Sequence, residues 1–591
     1  MEKSDLQNAM HMLHQQLKGR RFFIVLDDIW QEEAWESLLA AFPYEDRASR
    51  LLLTSRSRDI PRNAQYVHDL QLLNPDKSWQ LFLKKAFINN TDGKCPEDLE
   101  NIGREILRKC NGLPLAITVV GGLLVRQRQS ESEWERVLKG LNSHLGRSGS
   151  SVSAILELSY QDLPPQLKSC FLCLGFFKED AVIRARKLVN LWIAEGMVSQ
   201  EGEGKERVEE IARSYSDELI NRNMVQVKEW GKFDQVKTCY VHDLLRELSI
   251  TKANKEISFE ILRQGKSQPL DKARHRAIYC STESFIHPPN THLRSLFVHG
   301  AGKVDDSPSY WKSFVLLKVL DFEDFDLKNL PDTIGALTSL RYLGLRNTKI
   351  KELPSSLGRL KNLEVLDIAK NFGLKVPNVL WKMANLRHLY MSGIRCQFPL
   401  IIDALRNLQT LIHIPANSWA FDQHLSHMTT LHKLGIELEE STDVGKLCTS
   451  LAMLQNLVYL NLSGPVSQCR QSLDGLNFLH SLTQLKLDVF LTKLPGASNF
   501  PPNLSYLSLE DTLLQEDPMP VLQELPKLLH LNMRDAYSGA VMMISQKGFL
   551  KLKVLSLRSL LELRKNTSRK RCYASDQTTR DLQMPSSKEP P

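Results

Sequence analysis

The sequence predicts a multidomain chain: a partial α/β unit with a parallel sheet, then helical units, then an α/β solenoid. Three observations carry this. Residues Phe22-Phe23-Ile24-Val25-Leu26 form an unbroken apolar run closed by Asp27 and Asp28, and a second run, Leu51-Leu52-Leu53, follows one amphipathic helix. Helical periodicity takes over from Asn74 and is interrupted near Val225 by a strand pair. Leucine triplets then recur from Leu317 to Leu557. At 591 residues the chain exceeds a single core, and several domains of about 100–200 residues are expected.

Composition narrows the function classes. The net charge of +8 arises from 76 basic against 68 acidic residues, too small an excess to argue for a nucleic-acid partner. No apolar run reaches the ~18 residues of a membrane span, and no basic flank with an apolar core opens the chain. A cytoplasmic protein is expected, with the nucleus or a peripheral membrane association as alternatives. Ten scattered cysteines fit a reducing compartment. Cys170 and Cys173 form a CxxC in an apolar setting, which reads as core and not as a zinc site.

In chain order, residues 4–19 read as a helix with Leu6, Met10, Leu13 and Leu17 on one stripe. The run over 22–26 reads as a buried parallel strand, because a strand covered on both faces cannot alternate polar and apolar residues. Ligands of such sheets sit beyond the carboxyl ends of the strands, where Asp27 and Asp28 emerge. The alternative is a core strand followed by a solvated acidic turn. A crossover helix over 35–41 leads to a second strand over 50–56, which brings Arg56 to the same sheet end as Asp27. An arginine there can stabilise phosphate charge. These elements fill a partial domain over 1–73.

A helical domain over 74–147 contains a helix over 99–110 that stops at Asn111-Gly112-Leu113-Pro114. Gly112 suits a left-handed cap and Pro114 the first turn of the next helix. Over 148–255, helices surrounding a strand pair and Val241-His242-Asp243 suggest a winged-helix domain. It lacks a basic recognition helix, so a scaffold is expected and not a DNA reader. A linker and repeat cap are expected over 256–292.

The form L-x-x-L-x-L recurs at Leu340/Leu343/Leu345, Leu457/Leu460/Leu462, Leu482/Leu485/Leu487, Leu504/Leu507/Leu509 and Leu552/Leu555/Leu557, with Phe322, Ile368, Met391, Ile436 or Met533 closing variants between them. The spacing of about 22–26 residues is that of leucine-rich repeats, here over 293–563. Each repeat contributes a short strand to a concave parallel sheet, with the residues between leucines facing outward. Among these, Tyr342, Arg346, His388 and Tyr390 are the candidates for partner contact, since aromatic residues and arginine dominate interface hot spots. A solvated face is the alternative. The polar tail over 564–591, with Arg569-Lys570-Arg571, is expected to be disordered.

Phe23-Ile24-Val25-Leu26-Asp27-Asp28, Thr54-Ser55-Arg56, Gly112-Leu113-Pro114-Leu115-Ala116, Cys170-Phe171-Leu172, Leu191-Trp192-Ile193-Ala194-Glu195-Gly196 and Val241-His242-Asp243, followed by the repeats, together resemble the plant NB-ARC leucine-rich-repeat disease-resistance receptors. Trp30 after the acidic strand is similar to their coiled-coil class. The resemblance implies a P-loop-type nucleotide-binding domain acting as an ADP/ATP switch with Mg, and at most weak hydrolysis. By matching position, Asp27 would hold magnesium, Asp28 would position the attacking water and Arg56 would sense the terminal phosphate. Pro114 would pack on the adenine and His242 would contact the β-phosphate of ADP, with Val241 standing where the family has methionine. It also implies a pathogen effector or guarded host protein as partner, with self-association or pairing with full-length relatives. The departure is that no G-x-x-x-x-G-K-[ST] precedes Asp27. The sequence is thus expected to lack the phosphate loop and the signalling coiled coil, to expose an apolar edge on the first strand, and to bind ADP weakly or not at all. The rival reading is a nucleotide-independent interaction protein acting through its repeats.

Overall fold

The computed structural model describes residues 3–29, 32–43, 49–56, 64–87, 95–126, 130–148, 150–198, 208–263, 272–280, 290–301, 307–396, 404–416, 428–439, 442–464, 473, 475–545, 548–560 and 562–563. Trp30 and the tail over 564–591 lie outside them. The chain divides into two units, residues 1–74 and 75–591.

The first unit holds helices Lys3–Leu17 and Glu32–Leu39 and strands Phe23–Leu26 and Arg50–Leu53. The strands pair in parallel from Phe23↔Arg50 to Leu26↔Leu53. The expectation of a fully buried strand is corrected here, because burial alternates along both strands. Ile24, Leu26, Leu51 and Leu53 are half-buried, whereas Phe23 (68 %), Val25 (51 %) and Leu52 (49 %) stay exposed. Among the described residues, only one face of this two-stranded sheet is covered. The continuous apolar run is therefore that of a strand suited to two covered faces.

The second unit opens with helices Pro75–Ala86, Glu97–Cys110, Pro114–Arg126 and Glu131–Ser148, packed around Phe82 and Trp134, whose rings meet edge-on at 5.8 Å. The left-handed cap expected at Gly112 starts one residue earlier: Asn111 (φ 49°) caps the helix and Gly112 (φ 69°) continues the turn. Asparagine tolerates this region through its short polar side chain. Gly122 is required by a close approach, since a Cβ there would lie 2.6 Å from the Arg222 carbonyl.

Helices Ser151–Gln161, Pro165–Leu172, Ala185–Glu195, Val208–Asn221 and Asp243–Ile257 follow, with an antiparallel sheet in the order Ile183–Arg184, Val236–Tyr240, Gln226–Trp230. This is the winged-helix arrangement, with one more short strand than the hairpin foreseen. Cys170 and Cys173 are buried free thiols whose pKa values burial pushes up, in keeping with a core role.

The solenoid is a 14-stranded parallel sheet among the described residues, from Phe259–Arg263 to Val554–Arg558. The stretch expected as linker and cap supplies its first two strands, Phe259–Arg263 and His275–Cys280. Leu343, Leu366, Leu389 and Leu485 are wholly buried, as the triplets require. A side-chain ladder not read from the sequence joins the coils: Asn362, Asn385, Asn407, Asn456 and Asn503 each donate to a backbone carbonyl of the preceding coil at 2.7–3.1 Å. Each of these asparagines directly precedes the first leucine of an L-x-x-L pair, which is the signal that could have revealed it. Register aligns Tyr342, Val365, His388, Thr410, Lys433 and Tyr459 in one row across the concave face.

Leu366→Ala is expected to cost about 2–5 kcal/mol, because the coil above and below cannot close the void. A chemical-denaturation midpoint that does not move would contradict the placement of Leu366 in the shared core.

Candidate functional site

Two constellations carry the candidate residues. In the first unit, Asp27 and Asp28 leave the end of strand Phe23–Leu26, and Arg56 follows strand Arg50–Leu53. Asp28 sits in the left-handed region (φ 55°), and both its carboxylate oxygens accept from Arg56, at 2.9 Å from Nε and 2.6 Å from Nη2. That hydrogen bond, partly offset by burial, lowers the Asp28 pKa. The pair is exposed, so its contribution to stability is small. Asp27 accepts a short hydrogen bond from the Thr54 hydroxyl, and the Asp28 amide donates to the same hydroxyl at 2.8 Å. The structure thus brings Asp27, Asp28 and Arg56 to one sheet end, but Asp28 and Arg56 satisfy each other. No cluster of three or more metal-ligating side chains is found among the described residues. With both Asp28 oxygens closed on Arg56, that carboxylate and that guanidinium face each other in this structure and not a metal ion or a phosphate.

Pro114 and His242 belong to the second unit. Pro114 is exposed at the first turn of helix Pro114–Arg126. His242 caps helix Asp243–Ile257, its Nδ1 accepting from the Leu244 amide at 3.3 Å. Four residues later, Arg246 donates to the Phe177 carbonyl at 2.8 Å and to the Tyr279 hydroxyl at 3.1 Å, which fastens this helix to the first coils of the solenoid.

The second constellation lies where the winged-helix domain meets the concave face, and it contains all four residues expected to contact a partner. Tyr342, His388 and Tyr390 are buried and Arg346 is half-buried, and what covers the row is the chain's own winged-helix domain. The Arg186 guanidinium lies 4.5 Å from the Tyr390 ring centre, and the Asn190 amide donates to the Tyr390 hydroxyl at 3.4 Å. Glu209, at the start of helix Val208–Asn221, accepts from Arg387 at 2.5 Å and lies 3.6 Å from His388 Nε2. The expectation of an outward face open to a partner or to water is corrected to a face already engaged.

At the centre is a buried ionic group. Lys187 contacts the Asp321 carboxylate and donates to Glu323 at 2.6 Å. Arg184 donates to Glu323 at 2.5 Å, and Arg346 lies 3.5 Å from Asp367. Burial pulls the Lys187 pKa down, but Asp321 and Glu323 outweigh it and raise the pKa. Burial would likewise raise Glu323, yet Lys187 and Arg184 hold it at about 2. Gly344, on the strand between Asp321 and Asp367, makes room, since a Cβ there would lie 2.2 Å from an Asp321 oxygen.

Sequence reading missed Arg184, Lys187, Asn190, Glu209, Asp321 and Glu323 as site residues. A signal existed. Arg184, Arg186 and Lys187 crowd the start of a helix, where the macrodipole disfavours cations, so carboxylates from elsewhere were called for. Asp321 and Asp367 occupy the outward position just before the last apolar residue of their triplets.

Alongside, an apolar seam is shared by both domains: Phe176 packs on Phe259 at 4.6 Å and Phe297 at 5.1 Å, all buried. Beside it, Ser295 bridges Glu195 and His275, donating to Glu195 and lying 3.0 Å from His275 Nδ1. Since the serine and not the imidazole stands in the middle, this is no nucleophilic triad. Burial, only partly offset by Lys318, Arg294 and Arg341, raises Glu195 to about 7.

An NB-ARC domain family model matches residues 1–92, a disease resistance protein winged helix domain residues 176–249 and a leucine-rich repeat region residues 292–566. In Arabidopsis thaliana, the disease resistance RPP13-like protein 3 is 36 % identical over 573 residues, 92 % of this chain and 63 % of the relative. Disease resistance protein RPP8 is 33 % identical over 593 residues, 93 % of this chain and again 63 % of the relative. The chain spans less than two thirds of the length of these relatives. No helix among the described residues is long and apolar enough to cross a membrane.

Opposite titrations are expected to bound this interface. The depressed Glu209 contributes fully above 4.5 and loses its contribution as pH falls from there toward about 2, because burial is outweighed by the hydrogen bond from His388 and the charge of Arg387. The raised Glu195 contributes fully below 4.5 and loses its contribution as pH rises through about 7. Melting temperature against pH should therefore flatten on the acid side in Glu209→Gln and on the neutral side in Glu195→Gln. Profiles indistinguishable from that of the unmodified chain would contradict both assignments.

Proposed function

We propose that this chain, which matches the NB-ARC, disease-resistance winged-helix and leucine-rich-repeat models and is similar to disease resistance proteins of Arabidopsis thaliana, is a plant disease-resistance protein that serves as an intracellular immune receptor. Its repeats recognise a pathogen effector or a guarded host protein, and recognition triggers a defence response. The observation that carries this reading is the covered concave face. Tyr342, Arg346, His388 and Tyr390 have the chemistry of interface anchors, yet the winged-helix domain engages Tyr342, His388 and Tyr390, and Arg346 is tied to Asp367 beside them. A partner that claims these side chains must displace helix Ala185–Glu195, so binding and domain release become one event.

The ionic part of the contact suits such a release. Charges buried against one another recover hydration when parted, so separating them forfeits less than separating an apolar core of equal area. Glu209 Oε2 and His388 Nδ1 are buried without a hydrogen-bond partner among the described residues, which lowers the barrier further. The apolar seam at Phe176, Phe259 and Phe297 has no such compensation and acts as the fixed side of a hinge.

The nucleotide roles of Asp27, Asp28, Arg56, Pro114 and His242 are those the family implies, and no step of this reading runs through a bound nucleotide. The closed Asp28–Arg56 pair favours a second reading, in which this chain works through its repeats without nucleotide, alone or paired with full-length relatives.

Denaturing the purified chain and assaying released nucleotide should yield well under one ADP per chain; near-stoichiometric ADP would contradict the weak-binding expectation. Lys187→Glu should speed hydrogen exchange in strands Tyr342–Gly344 and His388–Tyr390 while strand Gln484–Asp488 stays protected. Unaltered exchange in the folded variant would remove the coupling between release and recognition.

A further inference from the structure

A separate contact between the two domains lies farther along the same concave row. The turn of the hairpin formed by Gln226–Trp230 and Val236–Tyr240 inserts Lys232 between two tyrosines, its Nζ 3.7 Å from the Tyr506 ring centre and 4.7 Å from that of Tyr459. The next side chain, Phe233, meets His530 edge-on at 4.9 Å and Tyr506 at 6.1 Å. Tyr459, Gln484, Tyr506 and His530 are register partners on four successive strands. Neighbouring strands lie about 4.8 Å apart, so tyrosines two strands apart leave roughly the space of one cation between their faces.

Two features mark the occupant as held by this fit and by little else. Phe233 adopts φ 52° and ψ 43°, a left-handed conformation strained for an aromatic residue and maintained only where packing over-determines it. Lys232 Nζ is buried with no hydrogen-bond partner among the described residues, although an ammonium can donate three. Burial, together with Lys486 and Lys433 and against Glu510, pulls its pKa down to about 7. The ammonium is thus gripped by ring faces and not by acceptors.

We propose that Tyr459, Tyr506 and His530 form a binding site for a cation followed by an aromatic side chain, that Lys232-Phe233 is its resident occupant, and that a protein partner presenting such a pair enters by displacing the hairpin tip. The ligand class follows from the occupant, which is a two-residue piece of polypeptide. Arginine suits the site better than lysine, because its guanidinium stacks on rings and is more weakly hydrated. This deepens the receptor reading above and rests on it, naming a recognition chemistry for a part of the face distinct from the Lys187 group.

Hydrogen exchange on the full chain tests it. Lys232→Ala and Tyr506→Ala should each raise exchange in Val236–Tyr240 by about two- to thirtyfold, the range a cation–ring contact supplies, with Tyr506→Phe restoring protection. An acetylated peptide spanning residues 230–235, at millimolar concentration, should protect strand Tyr506–Glu510 in the Lys232→Ala/Phe233→Ala chain and not when Tyr506→Ala is added. Failure of the hairpin to respond, or peptide protection that survives Tyr506→Ala, would overturn this site. If helix Ala185–Glu195 stays protected in that case, the domain contact on which the receptor reading rests survives; if it is unprotected in the unmodified chain, both fall.

Discussion

A lysine ammonium buried between two carboxylates is the constraint on which this structure depends. Lys187 cannot leave water unless Asp321 and Glu323 meet it, and those carboxylates stand on the first coils of the solenoid. Their position fixes where helix Ala185–Glu195 sits, and that helix in turn sets what covers Tyr342 and Tyr390. Buried ion pairs add little net stability compared with apolar packing of the same volume. What they supply is registry, because a shift of one coil would leave two cations, Arg184 and Lys187, facing the wrong groups. The contact therefore combines an apolar seam around Phe176 that stays closed with an ionic area that can part and be rehydrated.

Much of the architecture was legible because it is periodic. The leucine triplets fix strand, register and inward face of the solenoid at once, and the apolar runs before Asp27 and Thr54 fix a parallel pair of strands. Where reading failed, the missing information was the neighbour and not the pattern. An apolar run shows that a strand suits two covered faces, yet Phe23, Val25 and Leu52 remain exposed because only one face is covered among the described residues. Likewise, Tyr342, Arg346, His388 and Tyr390 were recognisable as anchors from their outward positions. That their occupant is the same chain depends on a contact between residues as far apart as Asn190 and Tyr390, which no local spacing encodes. The cations at the start of helix Ala185–Glu195 were the one local hint, since they oppose the helix dipole.

The acidic sheet end teaches the complementary lesson. The identity of Asp27, Asp28 and Arg56, and their convergence, followed from strand order alone. The mutual closure of Asp28 and Arg56 did not, because it depends on the left-handed backbone at Asp28 turning its carboxylate toward the arginine. An acid and a base that satisfy each other are a stable turn first, and a nucleotide site only if a phosphate can compete for the arginine.

The coupling between Lys187 and the solenoid is measured directly by a double-mutant cycle of Lys187→Met and Glu323→Gln. Either single substitution already removes the Lys187–Glu323 contact, while Asp321 still faces Lys187 and Arg184 still faces Glu323 when the partner is lost, so the two effects on stability should fall short of additivity by on the order of 0.5–3 kcal/mol. Strict additivity would mean that the two side chains do not meet in solution, and the winged-helix domain would not be what occupies the concave face.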